Sequence, residues 1–124
     1  MTSPPKPPAG LLKPSRDRWN QFWRSTAASA VDLDSDLPRL VRWIKASDEY
    51  DRAAKVVKAS RLVRGSMGQP VLNPLINYLA NLEAMITRTE REFGMTPAAR
   101  RRMDLNKAPS DDEIERFFAE LGAS

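Results

Sequence analysis

Apolar side chains recur at helical spacing through most of the chain, and this pattern predicts a helical fold. The first amphipathic segment, about residues 16–29, places Trp19, Phe22 and Trp23 on one face at i, i+3 and i+4 spacing. Ser15 is the predicted N-cap of this helix. Three large aromatic side chains so close together indicate core packing, and a base-stacking surface is the alternative.

A second, longer helix is predicted from Asp36 to about Arg61. Asp36 can cap its start, and Pro38 then falls in the first turn, where a missing N–H is tolerated. The buried side of this helix is predicted from apolar residues at three- and four-residue spacing: Leu37, Leu40, Val41, Ile44, Tyr50, Ala54 and Val57.

The segment 65–70 is a loop by composition, and a third helix follows it. Asn73 caps this helix, Pro74 begins it, and it ends near Phe93 with Gly94 as its C′ residue. One near-heptad seam runs along it and is the predicted oligomerisation surface, formed by Leu75, Leu79, Leu82 and Ile86. The alternative use of this seam is intramolecular, in an antiparallel pair with the second helix.

Two shorter helices are predicted after the third. The first begins at Thr96–Pro97 and carries three consecutive cations, Arg100, Arg101 and Arg102. The second opens with a capping box, Ser110–Glu113, and is acidic. Its apolar side is expected to bind a partner protein in a helix-in-groove mode or to pack on the oligomer, and it consists of Ile114, Phe117, Phe118 and Leu121.

The residue types that the chain lacks exclude several enzyme classes. Its 124 residues contain no Cys and no His, which removes disulfides, thiolate metal sites and Ser-His-Asp triads. The loop at 65–70 has no Walker lysine and is interpreted as a connector. Asp32, Asp34 and Asp36 do not complete an EF-hand and are better placed to cap a helix. We therefore predict no catalytic residues, no metal and no cofactor.

Positive charge is concentrated in the first half of the chain. Residues 1–65 hold 13 Lys/Arg and 7 Asp/Glu, whereas residues 66–124 hold 7 and 9, for a net charge of +4. The predicted DNA contacts recur mostly at intervals of three: Arg39, Arg42, Lys45, Arg52, Lys55, Lys58, Arg61 and Arg64. Arg100, Arg101 and Arg102 are a second candidate set. The alternative for the whole series is a solvated helix whose cations pair with its own acids.

Two motifs, with the helix between them, resemble the small-subunit family of phage terminases. The first, Gly65-Ser-Met-Gly-Gln-Pro-Val-Leu-Asn-Pro74, is similar to a Gly-x-x-Gly-Gln-x-x-x-Asn-Pro loop in that family. The second, Phe93-Gly-Met-Thr-Pro-Ala-Ala-Arg100, resembles a Leu-Gly-Leu-Thr-Pro-x-x-Arg turn, with Phe93 and Met95 in place of leucines. The resemblance covers about residues 36–105. Both motifs pair a cap with a following proline, so they mark helix starts.

The resemblance implies a homo-oligomeric ring that recognises the packaging initiation site on double-stranded viral DNA. It also implies delivery of that DNA, in the host cytoplasm, to the large terminase subunit, whose ATPase and nuclease do the chemistry. A helical DNA-binding regulator and a capsid-assembly scaffold protein are the alternatives. A helix-turn-helix regulator needs two short helices and a tight turn, which the long second helix disfavours. No apolar run in the chain predicts a signal peptide or a membrane span.

Together these features predict an all-α protomer with a long second helix and an antiparallel helical pair, assembled into a ring of more than four subunits. The chain is divided into a disordered Pro-rich arm at 1–14, a helical DNA-binding and oligomerisation core at 15–106 and an acidic C-terminal helix at 107–124.

Overall fold

The computed structural model of the chain describes residues 3–99, 101 and 111–122. These residues are mostly helical and include one short antiparallel sheet. In chain order the elements are α1 (Lys13–Trp23), a 3-10 helix (Thr26–Ala30), α2 (Leu33–Ala59), β1 (Leu62–Arg64), β2 (Pro70–Leu72), α3 (Leu75–Glu92) and α4 (Asp111–Gly122). No helix among these residues has the length and apolar character needed to cross a membrane.

Helix α1 begins earlier than the sequence predicted. Its first residue is Lys13 and its N-cap is Leu12, so the predicted capping role of Ser15 is wrong. Ser15 lies inside the first turn and is fully buried, and its hydroxyl donates to Oδ1 of Asp48 on α2 over 2.9 Å. The Ser15 hydroxyl therefore bonds to α2 and is not available to cap the backbone of α1. The predicted continuation of α1 to residue 29 is a separate 3-10 helix.

The Pro-rich segment before α1 contacts the helical core. Leu11 is buried in the core. The indole N–H of Trp19 donates to the carbonyl oxygen of Pro5 over 2.8 Å, and Nη2 of Arg52 donates to the carbonyl oxygen of Gly10 over 2.9 Å. These contacts join the segment to both α1 and α2. The division of the chain into an arm, a core and an acidic helix stays a prediction.

Helix α2 is the longest element, and Asp32 caps it instead of the predicted Asp36. Oδ1 of Asp32 accepts the N–H of Asp34 over 3.1 Å, and the Asp36 carboxylate accepts the N–H of Asp32 over 3.0 Å. Each carboxylate therefore accepts a backbone N–H at the start of the helix, and the positive end of the helix dipole stabilises both negative charges. Because the helix begins at Leu33, Pro38 lies in its second turn and not in its first.

A β-hairpin joins α2 to α3 and corrects the prediction of an all-α chain. Helix α2 ends at Ala59, and β1 then pairs antiparallel with β2 in the register Leu62↔Leu72, Val63↔Val71 and Arg64↔Pro70. Each strand has only three residues, too few to show the alternation that identifies a strand in sequence. Residues 65–69 form the turn, as predicted for a loop, and Gly68 adopts the left-handed φ of 78° there.

Helix α3 begins at Leu75 with Pro74 as its N-cap, one residue later than predicted, and the predicted residues Asn73 and Gly94 act at its two ends. Oδ1 of Asn73 accepts the N–H of Leu75 over 3.0 Å at the start of the helix. At the other end Gly94 adopts φ 71°, and the N–H of Met95 donates to the carbonyl oxygen of Glu90 over 2.8 Å. This arrangement is a Schellman motif, which satisfies the last carbonyl groups of the helix.

The hydrophobic core lies where α2 packs against α1 and α3. Trp19 and Phe22 of α1 are buried, which confirms core packing for the aromatic residues of the first helix. The Phe22 ring lies 6.0 Å, centroid to centroid, from the ring of Trp43 on α2. From α3, Leu82 and Ile86 complete the same cluster. Both α1 and α3 therefore pack against the apolar residues of α2, and the cations of α2 are left to solvent.

A helical turn and a short helix follow α3. Oγ1 of Thr96 accepts the N–H of Ala99 over 3.1 Å, and residues 97–99 are helical, as predicted. Helix α4, Asp111–Gly122, confirms the predicted acidic helix near the C-terminus. Its predicted cap, Ser110, lies outside the described residues. All residues of α4 are exposed.

Candidate nucleic-acid interface

The solvent-facing side of α2 carries the cations that the sequence singled out. Because α2 turns Leu40, Trp43 and Ile44 toward the core, its lysines and arginines are left at the surface. Six of the predicted DNA contacts are exposed on this helix: Arg39, Arg42, Lys45, Arg52, Lys55 and Lys58. These six differ in whether a neighbouring group of the same chain already engages them.

Arg52 belongs to an intramolecular cluster around Asp48. Its Nε lies 2.8 Å from Oδ2 of Asp48, and it also donates to the carbonyl oxygen of Gly10. The other carboxylate oxygen accepts the N–H of Leu12 over 2.8 Å and the hydroxyl of Ser15 over 2.9 Å. Burial raises the pKa of Asp48, but these hydrogen bonds and the charge of Arg52 outweigh burial and keep that pKa below its ordinary value. A phosphate would have to compete with this carboxylate for Arg52.

Arg39 contacts the C-terminal end of α3. Its guanidinium forms an ion pair with Glu92 and lies 5.3 Å from the centroid of the Phe93 ring. Both partners of the ion pair are about half exposed, so the pair itself contributes little stability. The two contacts nevertheless turn Arg39 toward α3. Among the residues that the structure describes, Arg39 and Arg52 are thus the two predicted DNA contacts that pair with an acid of the same chain.

The other cations of the series have no ion-pair partner in the part of the chain that the structure describes. They are Arg42, Lys45, Lys55 and Lys58 on α2, Arg61 before β1 and Arg64 in β1. Residues 52–82 contain five Lys/Arg and no Asp or Glu, so no carboxylate within this stretch offsets their charge. Uncompensated cations raise the local positive potential and attract phosphates. The absence of acids from residues 52–82 is visible in the sequence, and it could have distinguished these cations from those nearer to acids, which a count of cations alone does not.

The second candidate set of cations follows α3. Arg101 is exposed. Arg100 and Arg102 lie outside the described residues. The grouping of these three arginines into one DNA-binding surface stays a prediction.

The predicted oligomerisation seam of α3 faces α2 within the same chain. Its two central residues, Leu82 and Ile86, are each 8% exposed and lie in the core, and its first two residues are partly buried. This packing is the intramolecular alternative for the seam. The exposed large apolar residues of α3 are Tyr78 and Met85, one heptad apart, which the sequence analysis did not single out. Assembly through α3 stays a prediction.

Helix α4 exposes an apolar side and a strongly acidic remainder. The apolar residues are 41% to 63% exposed, and they are Ile114, Phe117, Phe118 and Leu121. The two phenylalanine rings contact each other edge to face, with centroids 5.7 Å apart. The acids are Asp111, Asp112, Glu113, Glu115 and Glu120. The apolar side suits a groove on a protein, and the acids disfavour contact with DNA.

The turn of the hairpin is a connector, as its composition indicated, and its amides are used internally. The N–H of Gly65 donates to the carbonyl oxygen of Gln69 over 2.7 Å, and that of Gly68 donates to Gly65 over 3.0 Å. The N–H of Met67 donates to Oε1 of Gln69 over 2.9 Å. These three amides do not converge on an external anion. Within residues 3–99, 101 and 111–122, no group of three or more Asp, Glu, His or Cys residues could hold a metal ion.

A family model described as phage terminase, small subunit, matches residues 15–110 of the chain. The matched span covers α1 from its third residue, then α2, the hairpin and α3, and it agrees with the family that the sequence motifs suggested. No curated protein and no solved structure is significantly similar to the chain.

Proposed function

Because the chain belongs to the phage terminase small-subunit family and so has a role in phage genome packaging, we propose that it is the DNA-recognition component of the packaging machinery. It binds double-stranded viral DNA at the packaging initiation site as a homo-oligomeric ring. It also recruits and stimulates the large terminase subunit, which supplies the ATPase and nuclease activities. The chain itself acts without catalytic residues or a cofactor, in the cytoplasm of the infected host.

The observation that carries the DNA-binding proposal is the set of exposed cations on α2 and the hairpin that form no ion pair with any carboxylate in the described part of the chain. Each cation that neutralises a phosphate releases counterions, so a few contacts give an affinity that falls steeply with salt. Lys55 and Lys58 are the leading contacts, because they lie in the last turns of α2 and within the acid-free residues 52–82. A ring repeats these contacts in every subunit, so individually weak contacts become avid.

Assembly into a ring is supported by apolar surface on α3 that one chain leaves uncovered. Tyr78 and Met85 are 40% and 45% exposed, and Leu75 and Leu79 of the seam are only partly buried. A small helical chain can complete the burial of such residues against copies of itself. Repeated head-to-tail contacts close into a ring when the rotation between subunits permits. We expect light scattering to give a mass of more than four subunits, and a monomer at micromolar concentration would contradict assembly.

Recruitment of the large subunit is assigned to α4. An isolated helix of about 12 residues is marginally stable in water, so α4 gains stability from a surface on which its apolar side can pack. A groove on the large subunit provides that surface in the helix-in-groove mode. The acids on the rest of the helix favour a partner with a basic rim and disfavour DNA.

The DNA-binding proposal is tested by reversing two charges on α2. The double variant Lys55→Glu, Lys58→Glu should lower the affinity for duplex DNA by at least about tenfold at low salt and reduce the salt dependence of binding. The matched control is Arg88→Glu, Arg91→Glu, which reverses two exposed arginines at the same spacing on α3. Fluorescence anisotropy of a labelled duplex measures both. Unchanged affinity of the α2 variant at low salt would remove the DNA assignment from these residues.

The role of α4 is tested by the double variant Phe117→Ser, Phe118→Ser. Light scattering should give the same oligomer mass as the wild type, and DNA affinity should be unchanged. Stimulation of the ATPase of the large subunit should be lost, because the apolar side of the helix no longer fits a groove. If the variant instead loses its oligomeric state, α4 belongs to the ring, and its assignment to the large subunit fails.

A further inference from the structure

The β-hairpin between α2 and α3 has a tightly closed tip. In the turn, the N–H of Gly65 donates to the carbonyl oxygen of Gln69 over 2.7 Å, and the N–H of Gly68 donates back to Gly65 over 3.0 Å. The left-handed φ of 78° at Gly68 lets the chain reverse within five residues. The tip is therefore held by its own backbone.

The side chain of Gln69 adds a second constraint on the tip. It folds back so that Oε1 accepts the N–H of Met67 over 2.9 Å. It also lies against Gly65, where an added Cβ would come within 2.8 Å of its Cδ. Because both the turn and this side chain fix the backbone around Met67, the point from which its side chain projects is defined in advance of any binding event.

Met67 is 90% exposed at the outermost part of the hairpin. It is a large apolar side chain on an element whose charged residues in and beside the strands are the cations Arg61 and Arg64. No acid occurs in residues 52–82. An apolar tip between cations fits a ligand that carries phosphates on either side of an apolar surface. In a DNA groove the phosphates border the base pairs, and the faces of the bases become that apolar surface where a base step opens.

We propose that this hairpin is a finger that enters the DNA minor groove, with Met67 as an apolar wedge against the bases and Arg61 and Arg64 on the flanking phosphates. The inference rests on the proposed DNA-binding function and assigns its contact element. Proteins that enter the minor groove use arginines and an apolar wedge, methionine among them, to unstack a base step. The amide oxygen of Gln69, which could read base edges, is already bonded within the turn, so binding depends on groove shape and deformability more than on sequence.

The wedge is tested with Met67→Ala, with Met67→Leu as the conservative variant and Leu33→Ala as the matched control. Leu33 is another large apolar residue, 46% exposed at the start of α2, and it belongs to neither proposed interface. Binding of the wild-type oligomer to a short duplex that carries 2-aminopurine should raise the fluorescence of this base, because unstacking removes its quenching. Met67→Ala should abolish that rise and weaken binding by about tenfold with an unchanged salt dependence, since it removes an apolar contact only. Met67→Leu and Leu33→Ala should behave as the wild type.

The arginines are tested with the double variant Arg61→Gln, Arg64→Gln. For this variant the slope of log affinity against log salt concentration should be smaller in magnitude by about two for each hairpin that contacts DNA. A minor-groove ligand such as distamycin should compete with the wild-type protein. Continued binding of the wild type in its presence, with no change in 2-aminopurine fluorescence, would overturn the minor-groove assignment.

The outcomes separate failure of the finger from failure of the proposed function. Wild-type protein that does not bind duplex DNA would refute the DNA-binding function itself. DNA binding that depends on Lys55 and Lys58 but is indifferent to Met67→Ala would refute the finger alone. A lower oligomer mass for Met67→Ala in light scattering, with unchanged DNA affinity, would make the hairpin a contact between subunits and would also overturn the proposal.

Discussion

Replacing Asp48 with asparagine separates the charge of this buried carboxylate from its shape. Asp48 is 7% exposed and accepts hydrogen bonds from the N–H of Leu12, the hydroxyl of Ser15 and the guanidinium of Arg52. Asparagine keeps one acceptor oxygen, but its NH₂ group then faces a donor on the other side. One set of hydrogen bonds is lost, and a buried donor is left without a partner.

The size of the effect follows from those contacts. A hydrogen bond to a charged group contributes about 1.5–3 kcal/mol, and a buried polar group without a partner costs about 1–3 kcal/mol. Because the side chain of Arg52 is half exposed, solvent screens part of its interaction, and we expect the free energy of unfolding to fall by about 2–3 kcal/mol. Asp51→Asn is the matched control, since Asp51 pairs with Arg18 near the surface and its loss should cost less than about 1 kcal/mol.

The same substitution changes how stability responds to acid. The folded pKa of Asp48 lies below its ordinary value of 3.8. The ionised carboxylate therefore stabilises the fold above that ordinary value, and this contribution is lost as the pH falls through the folded pKa. Asparagine does not titrate, so the advantage of the wild type over Asp48→Asn should be full near neutral pH and should shrink below about pH 4.

Urea unfolding followed by tryptophan fluorescence measures these differences, with all proteins at one concentration because assembly adds to apparent stability. Asp48→Asn that unfolds at the same urea concentration as Asp51→Asn would show that the cluster around Asp48 does not stabilise the fold. A difference between wild type and Asp48→Asn that stays constant from neutral pH to about pH 3 would refute the role of the charge.

Three further substitutions test the core, the end of α3 and the contact of α1 with the N-terminal segment. A result equal to the named control variant, or for Trp19→Phe a result equal to the wild type, would contradict each prediction. Ile86→Ala should lower the free energy of unfolding in urea by about 2–5 kcal/mol, because Ile86 is buried between α2 and α3, whereas Met85→Ala at its exposed neighbour should cost less than about 1 kcal/mol. Gly94→Ala should lower the melting temperature, because a Cβ at φ 71° costs about 1–2 kcal/mol, whereas Gly122→Ala, in open space and without a left-handed φ, should not. Trp19→Phe should lower the free energy of unfolding, measured in urea, by about 1 kcal/mol relative to the wild type, because it removes the indole hydrogen bond to the N-terminal segment.

The parts of the fold that the sequence predicted well depend on neighbouring residues. Asn73 caps α3 through a bond to the N–H two residues later, and Gly94 ends it with a left-handed φ. Thr96 likewise bonds the N–H of Ala99. Each of these interactions is complete within a few residues, so the residue types alone specify it.

The parts that the sequence predicted poorly depend on distant residues or on very short elements. Ser15 has the chemistry of an N-cap, but its hydroxyl bonds to Asp48, 33 residues away. At the start of α2, Asp32 and Asp36 are both competent caps, and composition does not decide between them. The hairpin strands are three residues each, so their pairing leaves no periodic pattern to detect.

In the candidate site, too, the features set by neighbouring residues were predictable from the sequence, and those set by distant residues were not. The basic series was evident from the sequence, because intervals of three residues along a helix keep successive cations near one another. The engagement of Arg39 by Glu92, and of Arg52 by Gly10, joins residues that are far apart in the chain. Only the tertiary structure therefore separates the cations that hold the fold together from those that remain open to a phosphate.

The placement of the acids explains how a chain of net charge +4 can present a strongly basic end. On α2, Asp32 and Asp36 accept backbone N–H groups at the helix start, and Asp48 and Asp51 each engage an arginine. Acids are then absent from residues 52–82, and five of them occur together in α4. The whole-chain charge therefore averages an acid-free stretch of cations at residues 52–82 with acids that lie elsewhere in the chain. Because phosphates respond to local potential, the salt dependence of DNA binding should follow the cations of this end and not the net charge of the chain.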